Sequence, residues 1–449
     1  MNPDGFAALA ALLGPSLSVD RFLGEYWDMR SVHIPPHDGE RPPPHGRAFG
    51  GVLALEDMDD LLIRVQLPSS KAELLLFEDL REATGSYATP HAAFASGASI
   101  IVNHADKVWP RINELCARLG AAFRYTFCNL YFTPHASQTA PPHSDDRDVL
   151  ILQVHGRKRW RVWPTPHERA TRRPFADEQA GKEARAPPID PRELGAPELD
   201  VVLDAGALLY IPRGALHVAD TASADTDCSL HLTIAIPTAD LSVGGYVIHA
   251  AKAHVFGRRG FRKALPLGAL PAQGDAAAEA AWQAEHARLW AAAHDAVGLA
   301  EASGELSDRM AVHRRAQRDA LAAVVADMGE ADAQRVVTER GLPVTLALRP
   351  STLLRKTVPL QLIKPHADAG DARVAQSMPE PGGPGRKAYI HTPPEFLRPL
   401  ETFAALPVGA SFRLRELDAR HEFMQACAMR ALLGLGVAIP LVAPSDHTE

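Results

Sequence analysis

Three residues near the middle of this 449-residue chain have the types and spacing of a metal site. His143-Ser144-Asp145 stands just before the apolar run 149–154. Residues two apart in extended chain point to one face, so this imidazole and this carboxylate can reach a common ion. His217 follows the turn Pro212-Arg213-Gly214 at the end of another apolar stretch. Two imidazoles and a carboxylate make the facial triad that holds non-haem Fe(II) and leaves coordination positions open for co-substrate and oxygen. His-x-Asp alone says little, because the chain also carries His104-Ala105-Asp106 and His366-Ala367-Asp368. Two solvated polar residues are the plain reading of both: His104 precedes a helix, and no strand-bound histidine follows His366. Only His143 lies in β-rich sequence with a strand-end histidine downstream.

Lys158 is the second informative residue. The run 149–154, then His155-Gly156, then Arg157-Lys158-Arg159-Trp160-Arg161-Val162-Trp163 reads as a hairpin with a tight turn. Period two puts Lys158, Trp160 and Val162 on one face, with Arg157, Arg159 and Arg161 on the other. A lysine sharing an apolar face is costly without an anionic partner, which the carboxylate of a bound ligand would supply. The alternative is a surface lysine that lays its stem along apolar neighbours and keeps its head in water. Trp160 and Trp163 read as core, the three arginines as a solvated sheet face, and His231 as a packed core histidine. Cys128 and Cys228 have nothing beyond position to suggest a redox role.

These residues need a scaffold of strands. Short β-rich runs fall at 125–132, 149–154, 158–163, 201–203, 207–211 and 229–236, most of them separated by turn signals. That texture predicts an antiparallel barrel or sandwich. The proline-rich segment 165–198 reads as an excursion between strands, over the barrel mouth. Before the β-region come short helices, one capped by Ser18, a Pro/Gly-rich loop at 35–50 and a helix at 108–119 that begins near Pro110. After it, 275–328 is Ala-rich and helical, with Trp282, His286, Leu289 and Trp290 at spacings of three and four. Residues 370–385 read as a Gly/Pro-rich loop. Helices at 394–406 and 420–434, with a strand at 410–414 between them, suggest a small α+β C-terminal module.

At this point the chain resembles a family. Asn129-Leu130-Tyr131-Phe132-Thr133-Pro134, Ser137-Gln138, Pro141-Pro142-His143-Ser144-Asp145-Asp146, Ile151-Leu152-Gln153, Gly156-Arg157-Lys158-Arg159-Trp160-Arg161, Ile211-Pro212-Arg213-Gly214 with His217, and Ser229-Leu230-His231-Leu232-Thr233 are similar to the JmjC-type ribosomal oxygenases. The likeness covers 125–236 closely and 22–34 loosely. It implies a cupin-type double-stranded β-helix barrel, and it implies Fe(II) held by His143, Asp145 and His217. It implies 2-oxoglutarate and O2 as co-substrates, with Lys158 on the distal carboxylate of 2-oxoglutarate and Asn129, Tyr131 and Thr233 lining the same pocket. The reaction implied is hydroxylation of a protein side chain, with a ribosomal protein as the substrate. Two departures matter. Ala235 stands where relatives often carry a polar residue near the substrate. From residue 341 onward, 12 Lys and Arg against 10 Asp and Glu give too little charge to name a partner for the C-terminal module.

The family layout divides the chain into a catalytic region 1–270, a helical dimerisation region 271–340 and a winged-helix-like domain 341–449, and it makes the protein a homodimer. The same oxidation acting on a peptide or small-molecule natural product, or a metal-binding cupin without turnover, are the other readings. An anion grip at Lys158 argues against the last.

Composition agrees. With 47 Lys and Arg against 54 Asp and Glu, the net charge is −7, so the chain has no basic excess with which to neutralise nucleic-acid phosphates or an anionic membrane. Four scattered cysteines suit neither a zinc cage nor a disulfide framework and point to a reducing compartment. No basic leader precedes the apolar stretch at 6–13, and the stretch at 431–443 is short and broken by glycine and proline. The cytoplasm is the expected location.

Overall fold

A computed structural model of the chain describes residues 3–36, 51–78, 80–83, 89–163, 194–222, 224, 226–238, 283, 284, 287, 288, 291, 299–333, 348, 351–357, 360–363, 372–377, 390–392, 397–434 and 438–440. Residues 37–50 of the expected 35–50 loop, most of the 165–198 excursion, His366 and the residues Trp282, His286, Leu289 and Trp290 lie outside them. By contacts the chain forms two units, one of Met1–Ile236 with Gln317–Glu449 and the other of Pro237–Ala316.

The elements run α1 (Pro3–Leu13), α2 (Val19–Glu25), β1 (Val32–Ile34), α3 (Met58–Val65), β2 (Glu73–Glu78), β3 (Arg81–Glu82), α4 (Pro90–Ala95), β4 (Ser99–Asn103) and α5 (Pro110–Phe123). Then come β5 (Phe127–Pro134), β6 (Asp148–Gly156), β7 (Lys158–Trp163), β8 (Leu199–Leu203), β9 (Leu208–Ile211), β10 (Leu216–Asp220) and β11 (Cys228–Ile236). The C-terminal part holds α6 (Leu299–Ala333), β12 (Leu353–Lys356), β13 (Leu360–Ile363), β14 (Ala372–Ser377), β15 (Ile390–Thr392), α7 (Leu397–Ala405), β16 (Ser411–Arg413), α8 (Glu422–Gly434) and β17 (Ala438–Pro440). Local chemistry sets several starts. The Ser18 hydroxyl accepts from the Arg21 amide at α2, and Thr89 caps α4 with Pro90 in its first turn.

Two antiparallel sheets frame the site. The larger has the order β1-β9-β6-β11-β5-β4-β2-β3, and the smaller β10-β7-β8. Val149, Ile151, Leu209 and Ile211 of the first pack with Trp160, Val162 and Leu203 of the second in one apolar cluster. The strand period explains what lies where. On β11, the even-numbered Cys228, Leu230, Leu232, Ile234 and Ile236 join the main core with Leu9, Phe22, Leu61, Ile112 and Leu119 of the helical segments. The odd-numbered His231, Thr233 and Ala235 line the space between the sheets. On β5, Cys128, Leu130 and Phe132 likewise face the helices, while Asn129 and Tyr131 face inward. All nine β11 residues are buried, and three of them line the cavity.

The structure corrects three expectations. Residues 149–163 are not a hairpin, since β6 pairs with β11 and β9 whereas β7 pairs with β10 and β8. The chain crosses from one sheet to the other at Gly156, which has φ +65° and whose missing Cβ would sit 1.8 Å from the Cys228 carbonyl oxygen. Only glycine fits there. His217 does not end an apolar strand but occupies β10, a strand of its own. Residues 372–377 form a strand inside what reads as a loop, because the glycines and prolines of that window cluster after residue 378.

The C-terminal segment shares the main core. Phe423 of α8 packs edge-on against Phe94 and Phe132 at 5.3 and 5.0 Å. Arg430 makes a two-pronged ion pair with buried Asp59, which also takes a hydrogen bond from the Leu348 amide and lies 2.9 Å from His91 Nε2. Gln317 of α6 donates to Asp106 and to the Thr126 carbonyl, both at 2.8 Å.

Candidate active site

His143, Asp145 and His217 converge because their backbones are tied together. His143 and His217 form an isolated β-bridge, with reciprocal amide-to-carbonyl hydrogen bonds of 3.1 and 2.8 Å. The Gly214 amide, in the turn before β10, donates to the Asp145 carbonyl at 2.8 Å. Their ligand atoms all lie within 4.8 Å of one another. Among the described residues this is the one such cluster of His, Cys, Asp and Glu.

The two imidazoles are oriented as ligands. His143 Nδ1 is 2.7 Å from the Pro141 carbonyl, and His217 Nδ1 is 3.1 Å from the Ala215 carbonyl. A carbonyl only accepts, so each Nδ1 carries the hydrogen and each Nε2 keeps its lone pair. This second contact is what fixes tautomer and ring plane in metal-binding histidines. His217 Nε2 is 3.6 Å from Asp145 Oδ2, and the two rings meet nearly edge to face at 4.3 Å. Two neutral nitrogens and one carboxylate on one side of an open space suit Fe(II) with vacant coordination positions.

That space is a cavity of about 790 Å³ between the sheets. All seven residues singled out from the sequence, Asn129, Tyr131, His143, Asp145, Lys158, His217 and Thr233, line it. Lys158 decides its own case, being 2% exposed and no surface lysine. Its ammonium donates to Thr133 Oγ1 at 2.8 Å, and among the described residues that hydroxyl is its hydrogen-bond partner. Burial holds the ammonium down to about 7, against an upward pull from Asp220. A buried cation with one neutral hydrogen-bond partner among the described residues is costly until an anion arrives.

Asn129 Oδ1 accepts from the His104 amide at 3.0 Å, and Tyr131 stacks on His231. His104 also lines the cavity, but its partner in the second His-x-Asp motif, Asp106, is buried and engaged with the Cys128 amide and Gln317. That motif is incidental to metal binding. The arginine face of β7 is a solvated face, paired across the sheet by Arg157–Asp204 at 2.6 Å, Arg159–Asp200 at 2.7 Å and Arg161–Asp220 at 3.8 Å. Trp160 is buried, as expected, but it also lines the cavity. His231, which strand period places on the face of Thr233 and which reads as a packed core histidine, is buried as expected and also lines the cavity.

Residues 102–240, which include the three metal-site residues, Lys158, Asn129, Tyr131 and Thr233, match the JmjC domain. The chain is 29% identical over 241 residues to the bifunctional lysine-specific demethylase and histidyl-hydroxylase NO66 of Drosophila mojavensis, covering 52% of this chain and 25% of that protein. The corresponding Drosophila sechellia protein is 32% identical over 223 residues, covering 48% of this chain and 31% of that protein. The chain thus spans about a quarter to a third of the length of these relatives. A similar solved structure is that of YcfD, a ribosomal oxygenase from Escherichia coli, in complex with cobalt and 2-oxoglutarate, at 15% identity and a TM-score of 0.39, covering 95% of this chain and 98% of that one.

Proposed function

We propose that this chain, whose residues 102–240 match the JmjC domain, is an Fe(II)- and 2-oxoglutarate-dependent oxygenase that hydroxylates a protein side chain, with a ribosomal protein as its substrate. One observation carries the reading: a two-histidine, one-carboxylate cluster and a buried lysine whose hydrogen-bond partner among the described residues is a hydroxyl open into one cavity. A binding scaffold for a metal alone has no use for the lysine.

In this reading His143 Nε2, His217 Nε2 and an Asp145 oxygen hold the iron. Bound Fe(II) supplies the oxidation, in which 2-oxoglutarate and O2 give succinate and CO2 and one oxygen atom enters a substrate C–H bond. The protein's own residues prepare that step. Lys158 pairs the distal carboxylate of 2-oxoglutarate in a site where water does not compete, so the charge-assisted contact is strong. Thr133 aims the ammonium, and Asn129, Tyr131 and Thr233 form the inner wall against which the co-substrate lies. Trp160, between the lysine and the triad on the strand pattern, shields the reacting centre from solvent.

Three finer features belong to the same proposal. Residues 271–340 serve homodimerisation and 341–449 form a winged-helix-like domain, following the three-part division with the catalytic region at 1–270. The setting is the cytoplasm. The described cysteines are all free, and among the described residues no helix is long and apolar enough to cross a membrane.

Mass spectrometry of ribosomal proteins from cells with and without this protein tests the proposal. A single-oxygen addition on one side chain, lost on deletion and restored by the wild-type chain but not by His217→Ala, is the expected result. Identical oxygen content in both strains overturns the assignment of substrate.

A further inference from the structure

His231 is the one cavity-lining histidine that the triad does not use and that lies fully inside the protein, at 2% exposure. It sits on β11 opposite Tyr131 of β5 and Gln153 of β6. Its ring is stacked flat on Tyr131, 4.9 Å between centroids and 4° between planes. Trp160 meets it edge-on at 5.4 Å. The ring therefore has almost no freedom. A packed core histidine normally finishes with both nitrogens satisfied, because a buried polar atom without a partner is costly. This one does not: Nδ1 is enclosed and has no hydrogen-bond partner among the described residues. The Trp160 indole nitrogen is in the same condition.

The tautomer follows. An unfilled lone pair is tolerated better than an unfilled N–H, so Nδ1 is the bare nitrogen and Nε2 carries the hydrogen. Burial, and after it the charge of nearby Lys158, pushes His231 well below the ordinary histidine range. Two nitrogen bases thus lie near each other in the lining of the cavity. The only described oxygen partner there is the Thr133 hydroxyl, on the lysine. The histidine is neutral there, and the ammonium beside it is the group that an arriving anion would stabilise.

We propose that His231 is a second hydrogen-bond donor to the distal carboxylate of 2-oxoglutarate, its neutral Nε2–H taking one oxygen while the Lys158 ammonium takes the other. This rests on the functional reading above and adds a residue and a role to it. Recognition by two donors of fixed direction selects a carboxylate over a neutral end group more sharply than a lysine alone, because a lysine is a mobile point charge. Tyr131 and Trp160 contribute by clamping the ring rather than by touching the carboxylate.

The test uses the full-length chain loaded with Zn(II) in place of Fe(II), so that binding is read without turnover. Calorimetry compares 2-oxoglutarate with 2-oxobutanoate, which has the same 2-oxo acid end but no distal carboxylate. The wild-type chain prefers 2-oxoglutarate. His231→Phe, which keeps a ring for the stack but has no donor, loses roughly ten- to a hundredfold of affinity for 2-oxoglutarate and little for 2-oxobutanoate. His231→Gln recovers part of the preference. A residue that merely fills space would lower both affinities together. For variants that do not fold, the wild-type protein still decides through the nitrogen resonances of His231. Its Nε2–H signal moves on addition of 2-oxoglutarate and stays in place with 2-oxobutanoate. An unchanged preference in His231→Phe, or an unmoved signal, overturns this inference and leaves the oxygenase reading intact. A wild-type chain that binds neither acid overturns both.

Discussion

Replacing Lys158 by methionine should stabilise the metal-free protein while disabling its co-substrate site. Burial lowers the ammonium to about 7 from an unfolded value of 10.5. At neutral pH that difference represents on the order of 4 kcal/mol of folding free energy spent on holding the group in the cavity. Methionine keeps the length and apolar stem of the side chain, and Thr133 retains a partner in Thr139 at 3.1 Å. The net gain should therefore be about 2–4 kcal/mol, less any loss in fit. The pH dependence has a definite sign. Between about pH 7 and 10.5 the unfolded chain binds more protons at this lysine than the folded one, so wild-type stability rises relative to Lys158→Met across that window. The advantage of the variant is greatest at and below neutrality and fades towards pH 10.5. Urea denaturation of both metal-free proteins from pH 6 to 10 measures it. A variant less stable than wild type at pH 7, or a gap that does not narrow at alkaline pH, would refute the account of Lys158 as a buried charge awaiting an anion. The variant should also need roughly ten- to a hundredfold more 2-oxoglutarate. Being the more stable protein, it cannot owe that loss to misfolding.

His143→Ala and His217→Ala should each weaken Fe(II) or Co(II) binding by more than about a hundredfold in equilibrium titrations, since even removing a supporting contact in such sites costs ten- to a hundredfold. His104→Ala should bind metal like the wild type. Gly156→Ala should cost about 3 kcal/mol or more in denaturation experiments, because a side chain there adopts a left-handed φ and drives into the Cys228 carbonyl. Asp59 is pushed up by burial but held down to about 2 by His91 and Arg430. Its contribution is fully present above its unfolded value of 3.8 and is lost as pH falls towards 2. Acid titration of stability should show wild type losing about 2 kcal/mol that Asp59→Asn does not lose. For the proposed dimer, light scattering at micromolar concentration should return twice the chain mass, and Trp290→Asp should halve it, since an unpaired carboxylate is costly in an apolar contact.

The site was more legible in the sequence than the architecture that builds it. His143, Asp145 and Lys158 announce themselves because strand periodicity turns two-residue spacing into shared direction, and that rule is local. His217 was legible as a ligand but not as part of β10, whose five residues Leu-His-Val-Ala-Asp are too short and too mixed to stand out from the turn before them. The hairpin reading of 149–163 failed at one residue. His155-Gly156 is a good turn signal, but whether a turn folds back on its own sheet or steps to another depends on the Cys228 carbonyl, 72 positions away in sequence. Strands β1 to β4 were hidden for a different reason: they are two to six residues long and show no clean alternation of burial. The docking of α8 on the main core rests on Arg430 meeting Asp59, a pairing across the length of the chain that no window reveals. Burial of His231 is legible in the strand pattern, whereas the missing partner at Nδ1 depends on the neighbouring strands and is not.

The central claim is tested most directly by succinate. Purified full-length protein supplied with Fe(II), a reductant, 2-oxoglutarate and air should form succinate slowly by itself, and faster with the protein substrate. His217→Ala should form none above the level of free iron. Succinate formation that is absent from the wild type with and without ribosomal protein, or equal in wild type and His217→Ala, contradicts the account.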